Sequence, residues 1–201
     1  MDDQLPPPRL YKYRSLEGPS LEHFEGVVLK NQIWWASPLT FNDPFDCFPS
    51  VDVSGSSAER AKWLKLRVNR NYPDLSRQQR RLKMRELAPA TKQLFGSTAA
   101  NEGGADAWRD ARRAMGVLSL TAKPTDMLMW GHYANSHQGA CLEFDTSHPP
   151  FNLAHRICYD DERPIFRPLN ADRSDLMERT LLRKAKVWEY EDECEFSVPE
   201  K

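Results

Sequence analysis

Hydrophobic and polar positions alternate over Leu10-Tyr11-Lys12-Tyr13-Arg14, the pattern of a strand with Tyr11 and Tyr13 on one face and Lys12 and Arg14 on the other. Gly18-Pro19 closes it. Leu21 to Leu29 fits a short helix, and Gln32-Ile33-Trp34-Trp35-Ala36-Ser37-Pro38 fits a strand stopped by its proline. A turn-rich loop, Phe41-Asn42-Asp43-Pro44-Phe45-Asp46-Cys47, follows. Helical spacing then takes over: Ser57 to Asn71 and Ser76 to Leu87 read as two helices, with Leu64, Val68, Leu82 and Leu87 facing inward and lysine and arginine on the polar faces. A flexible stretch from Gly96 to Gly104 is expected before a third helix near Ala105 to Met115, and Gly116 to Thr121 is a strand. From Met127 to Ala134 apolar residues recur at helical spacing. The polar turn Asn135-Ser136-His137-Gln138 leads into a segment that alternates Cys141, Glu143 and Asp145 against Leu142 and Phe144. Arg156 to Tyr159 reads as a short strand, Ser174 to Lys184 as a helix, and Trp188 to Val198 as a mixed segment dense in acid.

Strands at both ends of the chain enclosing a helical insertion, about residues 56–115, predict a single α+β domain over residues 1–201 rather than a doubly wound parallel sheet. No Gly-x-Gly-x-x-Gly follows a strand and no phosphate-binding P-loop is present, which removes support for the two commonest nucleotide folds. At 201 residues with 40% hydrophobic and 28% charged positions, the chain is long enough to bury a core without disulfide or metal support. Its net charge of -1 gives no global pull toward nucleic acid or an anionic membrane, so any electrostatic preference is local. The four cysteines are scattered without a Cys-x-x-Cys pair, and no cationic, apolar leader is evident; both point to a reduced, cytoplasmic setting. No apolar run approaches the roughly 20 residues a membrane-spanning helix requires.

Four groups of residues carry candidate chemistry. In a strand, Glu191, Glu193 and Glu195 of the acid ladder project on one face, close enough to raise at least one pKa unless a cation or ligand stands opposite. The alternatives are a solvated edge strand or ion pairs with the Arg183, Lys184 and Lys186 run. Asp43 and Asp46 in their proline loop offer two carboxylates, although this is also ordinary turn chemistry. His132, His137 and Cys141 match no common zinc spacing, so no metal site is expected there. The run Arg77 to Arg85 is the one concentrated basic patch; it reads either as a solvated helix face or as a contact for nucleic-acid phosphates, with too few aromatics for base stacking.

The residues Tyr11-Lys12-Tyr13-Arg14, Ile33 to Pro38, Phe41 to Cys47, Leu128-Met129-Trp130-Gly131-His132-Tyr133-Ala134 with His137 and Gly139, and finally Trp188, Tyr190-Glu191 and Glu193 resemble the bacterial "domain of unknown function 2971" family. That resemblance implies a bacterial protein, with some family members near phage-defence genes. The order of elements also resembles that of ADP-ribosyltransferases, which implies a split β core and NAD as substrate. On that resemblance Arg14, with Tyr13 beside it, takes the role of the early-strand cation. Ser119, Tyr133 and His132 line the nicotinamide-ribose pocket, and Glu193 is the late catalytic acid with Glu191 completing a Glu-x-Glu pair. The implied function is an NAD-dependent toxin or defence effector acting on nucleic acid or protein, with an antitoxin or regulatory protein as a further partner. Two other readings stay open: a non-catalytic module binding a ligand or partner, and a metal-dependent nuclease using Asp43, Asp46, Glu143 or Asp145 as ligands to magnesium.

Overall fold

The computed structural model describes residues 5–43, 45–95, 98–169 and 180–199, with side chains left out at 98–100 and 197–199. The chain is α+β, and its main sheet is antiparallel throughout. It divides into two compact units: one of residues 1–47, 112–163 and 181–201, the other of residues 48–111 and 164–180.

The first unit is built on a five-stranded sheet in the order β4-β1-β3-β9-β5, formed by β1 (Arg9–Arg14), β3 (Met115–Thr121), β4 (Ala140–Asp145), β5 (His155–Arg156) and β9 (Glu193–Pro199). The register of β3 against β9 sorts the side chains. Leu118 stands opposite Phe196 and Leu120 opposite Cys194, and these four join Leu10 and Ala154 in a core cluster, with Trp35, Phe144 and Phe151 packed against it. The alternate positions pair Ser119 with Glu195 and Thr121 with Glu193, so the opposite face of the same two strands is polar. A second cluster joins Tyr13, Met129 and Ala134 with Trp130, Tyr133 and Tyr190, bringing α5 (Met127–Tyr133) onto the sheet. Asp126 caps α5 by accepting from the backbone N–H groups of Leu128 and Met129 at 2.9 and 3.1 Å.

Between α5 and β4 the chain turns through three consecutive left-handed residues, Asn135, Ser136 and His137, with φ of 47°, 53° and 69°. Each costs backbone energy that glycine would avoid. Hydrogen bonds from Ser136 N to Gly131 O, His137 N to Trp130 O and Gln138 N to Ala134 O hold the turn. Gly139 follows because nothing larger fits: a Cβ there would lie 2.2 Å from Arg14 O and 2.8 Å from Ala134 Cα. The sequence thus sets the end of β1, and with it Arg14, against the start of β4.

The second unit pairs β2 (Ser50–Val51) in parallel with β7 (Ile165–Phe166) and packs α2 (Ser57–Asn71) on α3 (Arg77–Leu94). Both helices begin with a capping box, Ser56 with Glu59 and Ser76 with Gln79. Leu64 and Val68 are buried as expected, whereas Leu82 is 59% exposed because the face of α3 turned inward runs through Thr91 instead. Val53, Phe95 and Leu169 form this unit's cluster, with Trp63 edge-on to Phe95 at 4.7 Å.

Several expected elements differ. Residues 98–104, expected to be flexible, open α4 (Thr98–Arg113); Gly104 supplies a close approach rather than a break, since a Cβ there would sit 3.0 Å from Val51 and 3.2 Å from Val53. The strand expected over Gln32 to Pro38 reduces to one bridge, Ala36 to Val117, because Ser37-Pro38 starts a 3-10 turn and the tryptophans are committed elsewhere: Trp34 stacks on His23 and Trp35 packs on Phe196. The segment Arg156 to Tyr159 splits into β5 and β6 (Cys158–Asp160) around the buried Ile157. Of the helix expected over Ser174 to Lys184, residues 174–179 lie outside the described residues, and Arg183 and Lys184 belong to β8 (Arg183–Ala185), paired in parallel with β6. α1 (Gly18–Lys30) is longer than its apolar pattern, being started by Pro19 and ended by the left-handed Asn31.

Gly139→Ala is expected to lower folding stability by about 1–3 kcal/mol, because two backbone segments must move apart to admit one methyl group. A urea unfolding midpoint equal to that of the wild type would refute this account of the turn.

Candidate functional site

One face of the first unit opens as a cleft of about 360 Å³. β1 contributes Tyr11, Lys12, Tyr13 and Arg14; β3 contributes Ser119 and Thr121; α5 contributes Met129, His132 and Tyr133; Lys184 and Glu193 come from β8 and β9. The loop after α1 adds Phe41, Asn42 and Asp46. All six sequence-predicted residues other than Glu191 therefore line one cleft: Arg14, Tyr13, Ser119, Tyr133, His132 and Glu193. Glu191 stands directly behind, accepting a hydrogen bond from the Tyr133 hydroxyl at 2.5 Å.

The floor of the cleft is an ionic cluster. Lys184 Nζ lies 3.0 Å from Asp46 Oδ2, 3.1 Å from Glu195 Oε1 and 4.0 Å from Glu191 Oε2, and it donates to Glu193 Oε2. The ladder is thus neither solvated nor at an edge: β9 is flanked by β3 and β5, and Glu191, Glu193 and Glu195 are 2%, 8% and 1% exposed. Glu191 is not part of the strand. It ends a 3-10 segment, Lys186–Glu191, and the left-handed Asp192 swings the chain into β9.

Burial and crowding set the protonation of these groups. Burial pushes Glu193 up to about 7, against the downward pull of Lys184, and Glu191 adds to the rise. Burial likewise raises Asp46 to about 6, and it raises Glu195 with the help of Glu193. For Lys184 burial acts downward, but Glu193, Glu195 and Asp46 together hold its ammonium well above its ordinary value. Lys12, which donates to Ser119 O at 2.5 Å, is lowered to about 8 by burial and by the charge of Arg14.

Other side chains complete the walls. Ser119 Oγ donates to Glu195 Oε1 at 2.6 Å, and Asn42 Nδ2 donates to the Tyr133 hydroxyl at 3.2 Å. Burial and the bond to Glu191 push the Tyr133 phenol well above its ordinary value, so it remains a neutral donor. His132 Nδ1 is 3.0 Å from the Tyr190 hydroxyl. Tyr13 packs edge-on against Trp130 at 5.2 Å and donates to Lys123 O at 2.7 Å. Arg14 makes no ion pair among the described residues, and its Nε is buried without a hydrogen-bond partner. An enclosed, unpaired guanidinium edge on a cleft wall suits an oxygen-rich anionic ligand.

Asp46, Cys47 and Glu195 place ligating atoms within 4.8 Å of one another. The Lys184 ammonium already occupies the cation position between Asp46 and Glu195, and burial holds the Cys47 thiol far above its ordinary value, which leaves it protonated. Asp43 serves its turn by accepting from Phe45 N at 2.8 Å. Glu143 and Asp145 lie on β4 outside the cleft, with Glu143 paired to Arg9, and so do not join Asp46. Lys12 and Asn42 stand in the sequence only as members of motifs, with no candidate role, and Lys184 only as one of three cations beside the ladder. A lysine within an alternating strand is the signal that marks Lys12; Lys184 falls in a segment whose pattern reads as helix, so no local signal marks it.

These observations define an α+β protein with an antiparallel sheet and a polar cleft floored by a lysine among acids. Residues 129–195, from α5 to β9, match the family model described as "Protein of unknown function (DUF2971)". No curated protein and no solved structure matches the chain. Among the described residues no helix is long and apolar enough to cross a membrane.

Two outcomes follow from the cluster. Carboxylates whose pKa is raised on folding stabilise the fold most below their unfolded values, near 4.5 for Glu193, and lose that contribution as pH rises through about 6 for Asp46 and about 7 for Glu193. The urea midpoint is therefore expected to fall between pH 5 and pH 8, and Glu193→Gln to flatten the profile in that window; a parallel profile in the variant would contradict the assignment. Lys184→Met, which strands four acids, is expected to cost about 3–5 kcal/mol at pH 7.5, with part of the loss recovered at pH 5. An unchanged midpoint would show that Lys184 does not neutralise the cluster.

Proposed function

We propose that the cleft binds NAD as a substrate and transfers its ADP-ribose to an acceptor, within an ADP-ribosyltransferase-like split β core. The observation that carries the reading is the convergence of Arg14, Tyr133 and Glu193, distant in sequence, on one cleft of about 360 Å³. That size lies within the range of small-ligand sites. The unpaired Arg14 guanidinium supports an anionic ligand, here the phosphate and ribose oxygens.

Each residue has a task in this reading. Glu193, beside the ribose, stabilises the positive charge that develops as the bond from ribose C1′ to nicotinamide nitrogen breaks, its electron pair leaving with the ring. The acceptor's nucleophile forms the new bond to C1′ and gives up a proton. A carboxylate titrating near 7 is available as base at and above neutral pH. Glu191 holds Tyr133 through its hydroxyl, Tyr133 offers an aromatic face to the nicotinamide, and Ser119, Tyr13 and His132 shape the walls. A toxin or phage-defence role, with nucleic acid or protein as the acceptor and an antitoxin as regulator, belongs to the same proposal.

A second reading, a ligand-binding module without catalysis, draws support from Glu193 being engaged by Lys184 and Tyr133 by Glu191 and Asn42. Both are satisfied before any ligand arrives.

Release of nicotinamide from NAD by purified protein, followed by chromatography, separates the two. The transferase reading expects turnover that falls about 100-fold or more in Glu193→Ala, and weaker NAD binding in Arg14→Lys. Saturable NAD binding with no nicotinamide release, or Glu193→Ala turnover at the wild-type rate, would sink the catalytic assignment.

A further inference from the structure

The net charge of the chain conceals a strong local imbalance. Residues 57–94 carry eleven lysines and arginines against three acids, in a chain that has 28 basic and 29 acidic residues in all. These cations sit on the paired helices α2 and α3 of the second unit. Between the helices runs a groove of about 500 Å³ whose polar lining is Lys65, Asn69, Arg77, Arg80 and Arg81, with no acid in its wall.

The basic residues of this groove fall into two kinds. Arg80 is structural: it donates to Pro73 O and to Asn69 Oδ1, tying the turn between the helices. Lys65, Arg77 and Arg81 are exposed and make no ion pair among the described residues. Three exposed cations around a hydrogen-bonded one, with no carboxylate in the groove wall, form a surface complementary to a polyanion.

We infer that the α2–α3 groove binds the phosphate backbone of duplex DNA without reading its sequence. The aromatic side chains close by are already covered by the protein's own cations: Arg67 lies over the Trp63 ring at 5.2 Å and Lys83 over Tyr72 at 5.5 Å. Each of these rings thus has one face taken by a cation, which disfavours stacking of single-stranded bases there. A helix enters the wide major groove of B-form DNA but not the deep, narrow one of A-form RNA. α3, at 18 residues, presents Arg77, Arg81 and Arg85 four residues apart, one above another on a single face. This inference does not rest on the transferase reading and survives its failure.

The test is fluorescence anisotropy with the full chain and a duplex of about 20 base pairs of arbitrary sequence, over a series of salt concentrations. Binding is expected to weaken steeply with salt. The triple variant Lys65→Gln, Arg77→Gln, Arg81→Gln is expected to reduce the slope of log affinity against log salt by about 2–3, one phosphate contact per cation, and to weaken low-salt binding at least about tenfold. Because all three side chains are exposed, helicity by circular dichroism should not change. The charge-retaining variant with Arg77→Lys and Arg81→Lys should keep the wild-type slope. Absence of saturable binding at low salt, or a triple variant with the wild-type slope, would overturn the proposal. Tighter binding of single-stranded DNA or of duplex RNA of equal length would overturn the assignment to duplex DNA. Nicotinamide release, if the wild type shows it, should be the same in the triple variant, so the two proposals stand or fall separately.

Discussion

A single ammonium group, Lys184 Nζ, holds together segments that share no local reason to meet. It draws Asp46 from the loop after α1, Glu191 from a 3-10 turn, and Glu193 and Glu195 from the polar face of β9. Taking several charges out of water is costly, and the attraction between them offsets that cost only where each oxygen finds a partner. Ser119 supplies one such partner to Glu195, Tyr133 another to Glu191, while the Glu195 Oε2 atom has none. Raised carboxylate pKa values are the measure of what remains uncompensated. The cleft is polar and well defined because these groups fix its floor.

Much of this arrangement could be read from residue patterns, and the exceptions have physical causes. The alternation of β1, the apolar run of β3 and the helical spacing of α2 and α3 are local signals, and the elements formed where those signals lie. The tryptophan-rich segment before Pro38 has strand propensity, but packing of Trp34 on His23 and of Trp35 on Phe196 replaced pairing with a neighbour. Residues 98–104 include Gly103 and Gly104, which disfavour a helix interior. Here Gly104 lets α4 approach Val51 and Val53, so tertiary packing outweighed propensity.

The candidate site was legible as a set of residue types and not as a charge balance. Arg14, Ser119, Tyr133 and Glu193 face one cleft because the pairing of β1, β3 and β9 and the docking of α5 place them there, a matter of long-range register that no local pattern encodes. The ladder of acids was conspicuous, whereas its burial was not: a run so rich in charge reads as surface until a buried cation is found for it. In the second unit the situation is reversed, since its cations are conspicuous and remain exposed. The near-neutral total is the sum of an acid-rich unit and a basic helical pair.

The lysine among acids also constrains how such a sequence can drift. Asp46 and Glu195 are separated by most of the chain, yet both depend on the same ammonium group. A change at any one of these positions alters the charge balance felt by the others, so substitutions tolerated singly elsewhere are tolerated here only in compensating pairs. Lineages carrying this cleft would therefore be expected to exchange the lysine and an acid together or to keep both, and a relative that had lost only one would hold a different floor, with a different affinity for whatever enters it.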